Sequence, residues 1–264
     1  MTPATRAETR IAELGIRDPR DLDIEAIAFD SGVSVRYESL TGCEAMLVGF
    51  GSKAIATIKP SVRGRERFSI GHELGHWELH RGRSFRCRVD DPSDNLASDV
   101  RLEREADEFS SHLLMPGPLF NPMIVSLRWP SLPEIKELSD LFQSSVIATL
   151  IRIAHVDSLA VMVACYSGLT LRWWIAAPHI PKRWWLKKTL DRDTFAYDLV
   201  MQGSPCGVPR KQSADAWFEN SDAGEFEVLE QCLPAHTGQV LVTLYFCDAE
   251  MFDRGFDPDV KWRK

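Results

Sequence analysis

The sequence predicts an α+β protein built in three parts. Its 264 residues are 44% hydrophobic, which is enough for a substantial core. Strand-like runs fall in two groups, one within the first 60 residues and one after residue 158, and a helical stretch separates them. We therefore expect an N-terminal domain over residues 1–120, a helical segment over 121–157 and a C-terminal α+β domain over 158–264.

The first 60 residues predict two short helices followed by a small sheet. Capping residues and apolar spacing indicate the helices, and β-branched or aromatic residues between turn signals indicate the strands. The predicted helices span 3–14 and 21–29, and the predicted strands span 33–38, 46–50 and 54–59. Because the connections between these strands are too short for crossovers, we expect an antiparallel sheet.

Two longer helices are predicted next, with a polar loop between them. Residues 65–81 suit a helix that stops at Gly82, and residues 83–97 are polar and contain a proline. The second helix should begin at Ser98 or Asp99 and end at Leu114, where a Met-Pro-Gly-Pro sequence follows. These two helices carry the residues of greatest chemical interest.

The rest of the chain predicts a helical pair and then further strands. Residues 132–141 and 146–156 read as two helices joined by a four-residue turn, a pattern typical of a helix-turn-helix. The predicted C-terminal strands are 159–165, 169–175, 225–229 and 240–246. Paired tryptophans at 173–174 and 184–185 are interpreted as core or interface residues rather than as a ligand site.

Composition and charge exclude several classes of protein. A formal net charge of −7 disfavours a large basic surface, so direct DNA binding is the weaker hypothesis. The six cysteines include no Cys-x-x-Cys pair, and we interpret them as reduced and mostly buried thiols. Without a membrane-spanning apolar run or a secretory signal, the expected location is the cytoplasm.

A metal-binding motif lies in the middle of the predicted helix 65–81. The helix contains the run His72-Glu73-Leu74-Gly75-His76. Residues four apart lie on one helical face, so His72 and His76 can present two imidazoles to one zinc ion while Glu73 flanks the site as a general base. We interpret Gly75 as leaving room beside the metal for a ligand or for substrate backbone.

A catalytic zinc ion needs a third protein ligand, and the next predicted helix offers two candidates. Helical geometry alone does not choose between Glu103 and Glu105, which flank opposite sides of the apolar stripe. Asp107 favours Glu103, because it lies one turn further along the same face and can accept the other ring N–H of a zinc-bound histidine. His80 lies a full turn beyond His76 and is expected to be a helix-end or surface residue rather than a ligand.

Two blocks of the sequence closely resemble the ImmA/IrrE family of metallopeptidases. The blocks are RERFSIGHELGHWELH at 65–80 and EREADEFSSHLLMP at 103–116. The resemblance covers about residues 20–120 and extends more weakly to residue 156. It implies a minimal zincin-like fold with Glu103 as the third ligand. Gly71 replaces an alanine that is usual in the family, at an expected cost of about 1 kcal/mol in helix stability.

The resemblance also implies a function. Family members are known as cytoplasmic regulatory proteases that cleave a helix-turn-helix transcriptional repressor. Some carry a C-terminal GAF-like domain, which is our expectation for residues 158–264; its ligand is unknown. The expected cofactor is Zn²⁺, with Mn²⁺ as the alternative, because the metal bound in the cell also depends on availability. The expected mechanism is water attack with Glu73 taking the proton, on a substrate paired with strand 54–58.

The sequence leaves two other functions open. The second helix of the helical pair offers Thr149 and Arg152 as base-reading side chains, although it is otherwise mostly apolar. A DNA-binding regulator is therefore one alternative. The other is a protein-binding regulator whose metal site is structural or sensory. Three ligands with an intact base argue against the latter, because structural zinc sites usually have four protein donors.

Overall fold

A computed structural model describes residues 1–81, 85–87, 97–235 and 238–253, with only the backbone described at 85–87, 97–99 and 253. The chain forms two compact units. Unit 1 comprises Met1–Met123 and Glu137–Thr149, and unit 2 comprises Ile124–Lys136 and the chain from Leu150 onward. Both units contain helices and a β-sheet, so the predicted α+β class is confirmed. The domain boundaries at residues 120 and 157 stay a prediction.

Seven helices occur between residues 3 and 155 of the described chain. They are α1 (Pro3–Glu13), α2 (Ile24–Asp30), α3 (Arg63–Leu79), α4 (Ala97–Leu114), α5 (Gly117–Val125), α6 (Leu132–Leu141) and α7 (Val146–His155). Side chains cap the first two: Thr2 accepts from the backbone of Thr5 before α1, and Asp23 accepts from two amides at the start of α2. Helix α5 was not predicted, because Pro118 was interpreted as a stop; in a first turn proline removes only an unneeded donor.

The sheet of unit 1 has four strands and is mixed. Its strands are β1 (Val33–Tyr37), β2 (Ala45–Phe50), β3 (Lys53–Ile58) and β4 (Phe85–Cys87), in the order β1-β3-β2-β4. Strands β2 and β3 form an antiparallel hairpin, but β1 runs parallel to β3. The prediction of a wholly antiparallel sheet was therefore wrong. Residues 38–52, which include β2, supply the dozen or so residues that a parallel connection needs.

The strand order also changes the predicted substrate edge. Strand β3 lies between β1 and β2, so its backbone is paired on both sides and the prediction that it is an open edge was wrong. Strand β4 was missed inside the predicted loop 83–97, and it pairs with β2 through only three residues. The rest of that loop lies outside the described residues.

Helix α3 packs on this sheet through its apolar side. Ile70, Leu74 and Trp77 are buried. The indole nitrogen of Trp77 donates to the carbonyl oxygen of Ser31 at 2.9 Å, and a Cβ built at Gly49 of β2 would lie 3.0 Å from the Trp77 ring. Glycine in the strand therefore lets the indole approach the backbone of β2 closely. These contacts set the rotation of α3 about its axis.

Unit 2 is built on an antiparallel sheet of five strands. Its elements are β5 (Val161–Ser167), β6 (Thr170–Ala176), α8 (Phe195–Gln202), β7 (Cys206–Ser213), β8 (Glu227–Pro234), β9 (Gln239–Phe246) and α9 (Glu250–Asp253). The order is β6-β5-β9-β8-β7. Three of these elements, α8, β7 and α9, were not predicted. Strand β7 contains Pro209, which an edge strand tolerates because one row of its amides is unpaired.

The tryptophans of unit 2 divide between core and surface. Trp184 is buried against Phe218, Phe226 and Phe246. In contrast, Trp174 and Trp185 are 40% and 50% exposed and contact each other edge to face. Only one member of the second pair is thus a core residue.

A buried carboxyl group holds one helix of unit 2 in place. Glu230 of β8 accepts hydrogen bonds from the backbone nitrogen of Ala196 at 2.7 Å and from the indole nitrogen of Trp217 at 3.1 Å. Burial raises the pKa of Glu230 to about 7, although both hydrogen bonds oppose this shift. Because Ala196 lies in the first turn of α8, Glu230 satisfies an amide that the helix start leaves without an intrahelical partner.

The helical pair does not present its candidate base-reading residues. Thr149 and Arg152 of α7 are both buried. A side chain enclosed by protein cannot reach a base edge in a DNA groove. Helix α7 is therefore a packing helix in this conformation.

The five cysteines whose side chains the structure describes are free thiols. Cys165, Cys206 and Cys232 are buried free thiols, and Cys43 and Cys247 are free and partly exposed; the side chain of Cys87 lies outside the described residues. Within the described parts of the chain, each helix is too short or too polar to cross a bilayer.

Candidate metal centre

Helices α3 and α4 approach closely because two glycines of α3 face α4. A Cβ built at Gly75 would lie 3.1 Å from the Cα and carbonyl oxygen of Ala106, and one built at Gly71 would lie 2.5 Å from Ser110 Oγ. The interpretation that Gly75 leaves room for a ligand or substrate was therefore wrong, since the backbone of α4 occupies that side. The close approach brings the carboxylates of α4 within reach of the histidines of α3.

Three side chains from the two helices converge on one point. His72 Nε2 lies 3.1 Å from His76 Nε2 and 3.1 Å from Glu103 Oε2, and His76 Nε2 lies 3.4 Å from Glu103 Oε1. A tetrahedral zinc ion with bonds of roughly 2.0–2.1 Å has ligand atoms about 3.3 Å apart. Among the described residues, the group consists of two imidazoles and one carboxylate. These donors and their spacing fit a divalent ion.

Asp107 contacts the first histidine on the side away from this point. Its Oδ1 lies 2.8 Å from His72 Nδ1. A carboxylate in this position accepts the Nδ1 proton, which leaves the lone pair of Nε2 directed at the metal position. The side chain of Asp107 is 57% exposed and lies one turn beyond Glu103, where the sequence placed it.

The electrostatics of the site favour the protonation states that bind metal. Burial disfavours the ionised form of Glu103, but hydrogen bonds and attraction from His72 and His76 outweigh it and lower the pKa of Glu103 to about 2. Burial is also the main cause of the lowered pKa of His76. Near neutral pH the site thus contains a carboxylate and a neutral imidazole, the forms in which these groups act as ligands.

The remaining predicted residue, Glu73, follows His72 on the same helix. Its side chain is 0% exposed. This carboxyl group is enclosed by protein and lies one residue along α3 from His72.

His80 and Glu105 form a further contact that sequence reasoning missed. His80 is the C-cap residue of α3, a helix-end position as expected, and its side chain is only 7% exposed. Its Nδ1 lies 3.2 Å from His76 Nδ1, and its Nε2 lies 2.9 Å from Glu105 Oε2. The regular spacing of histidines at 72, 76 and 80 was the available signal.

Comparison with known proteins identifies the region around this site. The model of the IrrE N-terminal-like domain, peptidase family M78, matches residues 30–154. Residues 30–154 are thus a domain of the ImmA/IrrE family. The match contains α3, α4 and all the converging side chains, and we call this region the IrrE-like domain.

A solved structure extends the comparison to the whole fold. The IrrE-like domain and the rest of the chain resemble a Mycobacterium tuberculosis transcriptional regulator with a TM-score of 0.59 and 14% sequence identity. The alignment covers 92% of this chain and 75% of the regulator. At this identity the likeness concerns the fold alone. The comparison with curated proteins gave no match.

The contact between Gly71 and Ser110 predicts an unfavourable effect of the family's usual alanine. Alanine normally stabilises a helix by about 1 kcal/mol relative to glycine. In this IrrE-like domain we expect Gly71→Ala to lower the free energy of unfolding by about 1–2 kcal/mol, because the new methyl group collides with Ser110 Oγ. Ser110 cannot move freely, since it donates to the carbonyl oxygen of Phe68 at 2.9 Å.

A double-mutant cycle tests this prediction. Ser110→Ala removes the colliding oxygen, so Gly71→Ala should cost much less in that background than in the wild type. Denaturant unfolding of the four metal-free proteins gives the coupling energy. Strictly additive effects, or stabilisation by Gly71→Ala alone, would contradict the proposed contact.

Proposed function

We propose that the IrrE-like domain is a zinc-dependent endopeptidase that hydrolyses a peptide bond in a regulatory protein. The observation that carries the proposal is the convergence of His72, His76 and Glu103 on one point beside the buried Glu73. Membership in a peptidase family supports it. The two imidazoles and one carboxylate suit zinc, and manganese is the alternative ion.

Each residue of the site has a proposed role. His72, His76 and Glu103 hold the ion, and Asp107 orients His72 by accepting its Nδ1 proton. The bound ion supplies Lewis-acid chemistry, polarising the scissile carbonyl group and making a nearby water more acidic. Glu73 takes the proton of the attacking water and delivers it to the leaving amine.

The substrate would bind as an extended chain along an open strand edge. Because β3 is internal, the available edges of the described sheet are those of β1 and β4. We assign the substrate to β4, which begins six residues after the last residue of α3 and has one edge paired with β2. Main-chain hydrogen bonds to such an edge tolerate many sequences.

The proposed substrate is a helix-turn-helix transcriptional repressor in the cytoplasm. The test incubates the purified chain with helix-turn-helix repressors from the same genome, with zinc, with manganese and with a chelator, and measures fragments by mass spectrometry. We expect one specific cleavage that the chelator abolishes and added metal restores. Cleavage that continues in chelator, or an intact repressor under every metal condition, would contradict the proposal.

A transcriptional regulator with a structural or sensory metal site is the second candidate. The mycobacterial regulator of similar fold is the observation that favours it. The burial of Thr149 and Arg152 opposes direct DNA reading by α7, and a group of three donors opposes a purely structural zinc site.

The proposal also includes GAF-like character for residues 158–264, with the ligand unassigned.

A further inference from the structure

We propose that His80 and Glu105 are positioning residues that orient His76 for metal binding. This inference rests on the proposed metal site and assigns two residues that act on it from outside. Asp107 holds the ring of His72 in one orientation by contacting its Nδ1. The ring of His80 lies on the Nδ1 side of His76.

The end of α3 is built so that this ring can lie beside His76. The backbone of His80 leaves helical geometry at φ −127° and ψ 37°, while its N–H still bonds to the His76 carbonyl oxygen at 2.9 Å. The imidazole follows His76 by one turn of the helix, and its Nδ1 lies 3.2 Å from His76 Nδ1.

One set of tautomers is consistent with the contacts from His76 through His80 to Glu105. A metal at the convergence point requires the lone pair of His76 Nε2, which places the His76 proton on Nδ1. His76 Nδ1–H then donates to the bare Nδ1 of His80, and the proton of His80 is on Nε2. His80 Nε2–H in turn donates to Glu105 Oε2 at 2.9 Å, and Glu105 also accepts from Arg101 Nε at 2.7 Å.

The carboxylates of α4 therefore act on the histidines of α3 either by direct contact or through His80. Glu103 contacts both proposed ligand nitrogens, and Asp107 contacts His72 from behind. Glu105 acts on His76 through His80. Loss of an outer carboxylate or of its equivalent usually weakens metal binding about 10- to 100-fold, because the ligand ring is no longer held in place.

Four variants test the proposal through zinc affinity rather than through peptide cleavage. His80→Leu removes both hydrogen bonds, whereas His80→Asn keeps an acceptor oxygen close to the position of Nδ1. Glu105→Gln removes the charge behind His80, and Glu108→Gln is the charge-matched control at an exposed site of α4. Zinc dissociation constants come from competition with a chromophoric chelator. The visible spectrum of the cobalt-substituted protein reports the ligand geometry.

We expect His80→Leu to weaken zinc binding about 10- to 100-fold and to change the cobalt spectrum. His80→Asn should recover most of that loss, Glu105→Gln should show a smaller loss, and Glu108→Gln should bind as the wild type does. Wild-type affinity in His80→Leu would overturn the proposal. Affinity in His80→Asn as weak as in His80→Leu would also overturn it, because the effect would then come from the ring's packing.

The outcome is distinguishable from failure of the proposed peptidase. If the wild type binds zinc and the variants follow the expected order, but the repressor is never cleaved, the positioning role stands and the peptidase function falls. If the wild type binds no divalent ion, both fall together. Metal-free unfolding of each variant separates loss of affinity from loss of fold.

Discussion

Replacement of Glu73 by glutamine is expected to lower the rate of peptide cleavage about 10²- to 10⁴-fold, the range that general acid–base catalysis contributes. Glutamine has nearly the same shape but cannot accept the proton of the attacking water. Zinc should stay bound, because His72, His76 and Glu103 are unchanged.

The measurement pairs cleavage with metal content. Glu73→Gln and wild type are loaded with zinc, the metal is quantified by elemental analysis, and fragment formation is followed under single-turnover conditions. Glu66→Gln, on an early turn of the same helix and away from the site, is the matched control. Cleavage by zinc-loaded Glu73→Gln at the wild-type rate would remove Glu73 from the mechanism.

Replacement of Glu103 by alanine is expected to weaken zinc binding by more than about 100-fold. This exceeds the loss of affinity expected when a residue that only orients a ligand is removed. Two imidazoles from one helix then remain without the carboxylate that neutralises much of the ion's charge. The short distances from Glu103 to His72 and His76, 3.1 and 3.4 Å, are the basis for this expectation. Peptide cleavage should fall with metal occupancy.

Glu108→Ala provides the control, since Glu108 is an exposed carboxylate on the same helix. Zinc dissociation constants of the two variants are compared with that of the wild type by chelator competition. A second variant, Glu103→Asp, keeps the carboxylate but shortens the side chain. Its zinc affinity shows whether the length of the glutamate side chain is required. Wild-type affinity in Glu103→Ala would exclude Glu103 as a ligand.

The close packing of α3 on α4 explains why these effects should be large. A Cβ built at Gly75 would lie 3.1 Å from the Cα of Ala106, so the backbone of α4 that carries the carboxylates is packed directly on α3. A ligand held in place loses little further freedom on binding metal. The geometry of the site is therefore a property of the helix pair rather than of any one side chain.

Sequence reasoning succeeded where the relevant geometry is local. Helix α6 has the predicted bounds, and the placement of His72 and His76 on one face follows from the spacing within a single helix. The predicted start of α1 at Pro3 follows from Thr2, which accepts from the backbone of Thr5 three positions away, whereas α2 begins at Ile24, three residues after its predicted start. Each of these features depends on contacts within about one helical turn.

Tertiary structure decided the features that depend on distant residues. Strand β1 pairs with β3 rather than with its neighbour in sequence, and this choice made β3 internal. On α4, the amphipathic pattern allowed either Glu103 or Glu105 to face the histidines. Only the rotation of α4 about its axis, set by its packing against Gly71 and Gly75, places Glu103 at the two nitrogens.

By itself, therefore, the sequence determined an α+β chain with two histidines and a glutamate arranged for metal chemistry on one helix. The structure alone assigned Glu105 to His80 and filled the space beside Gly75 with α4. The physical reason is the range of the interactions. Helical spacing and caps are encoded within a few residues, whereas the faces that two helices present to each other result from the packing of the whole unit.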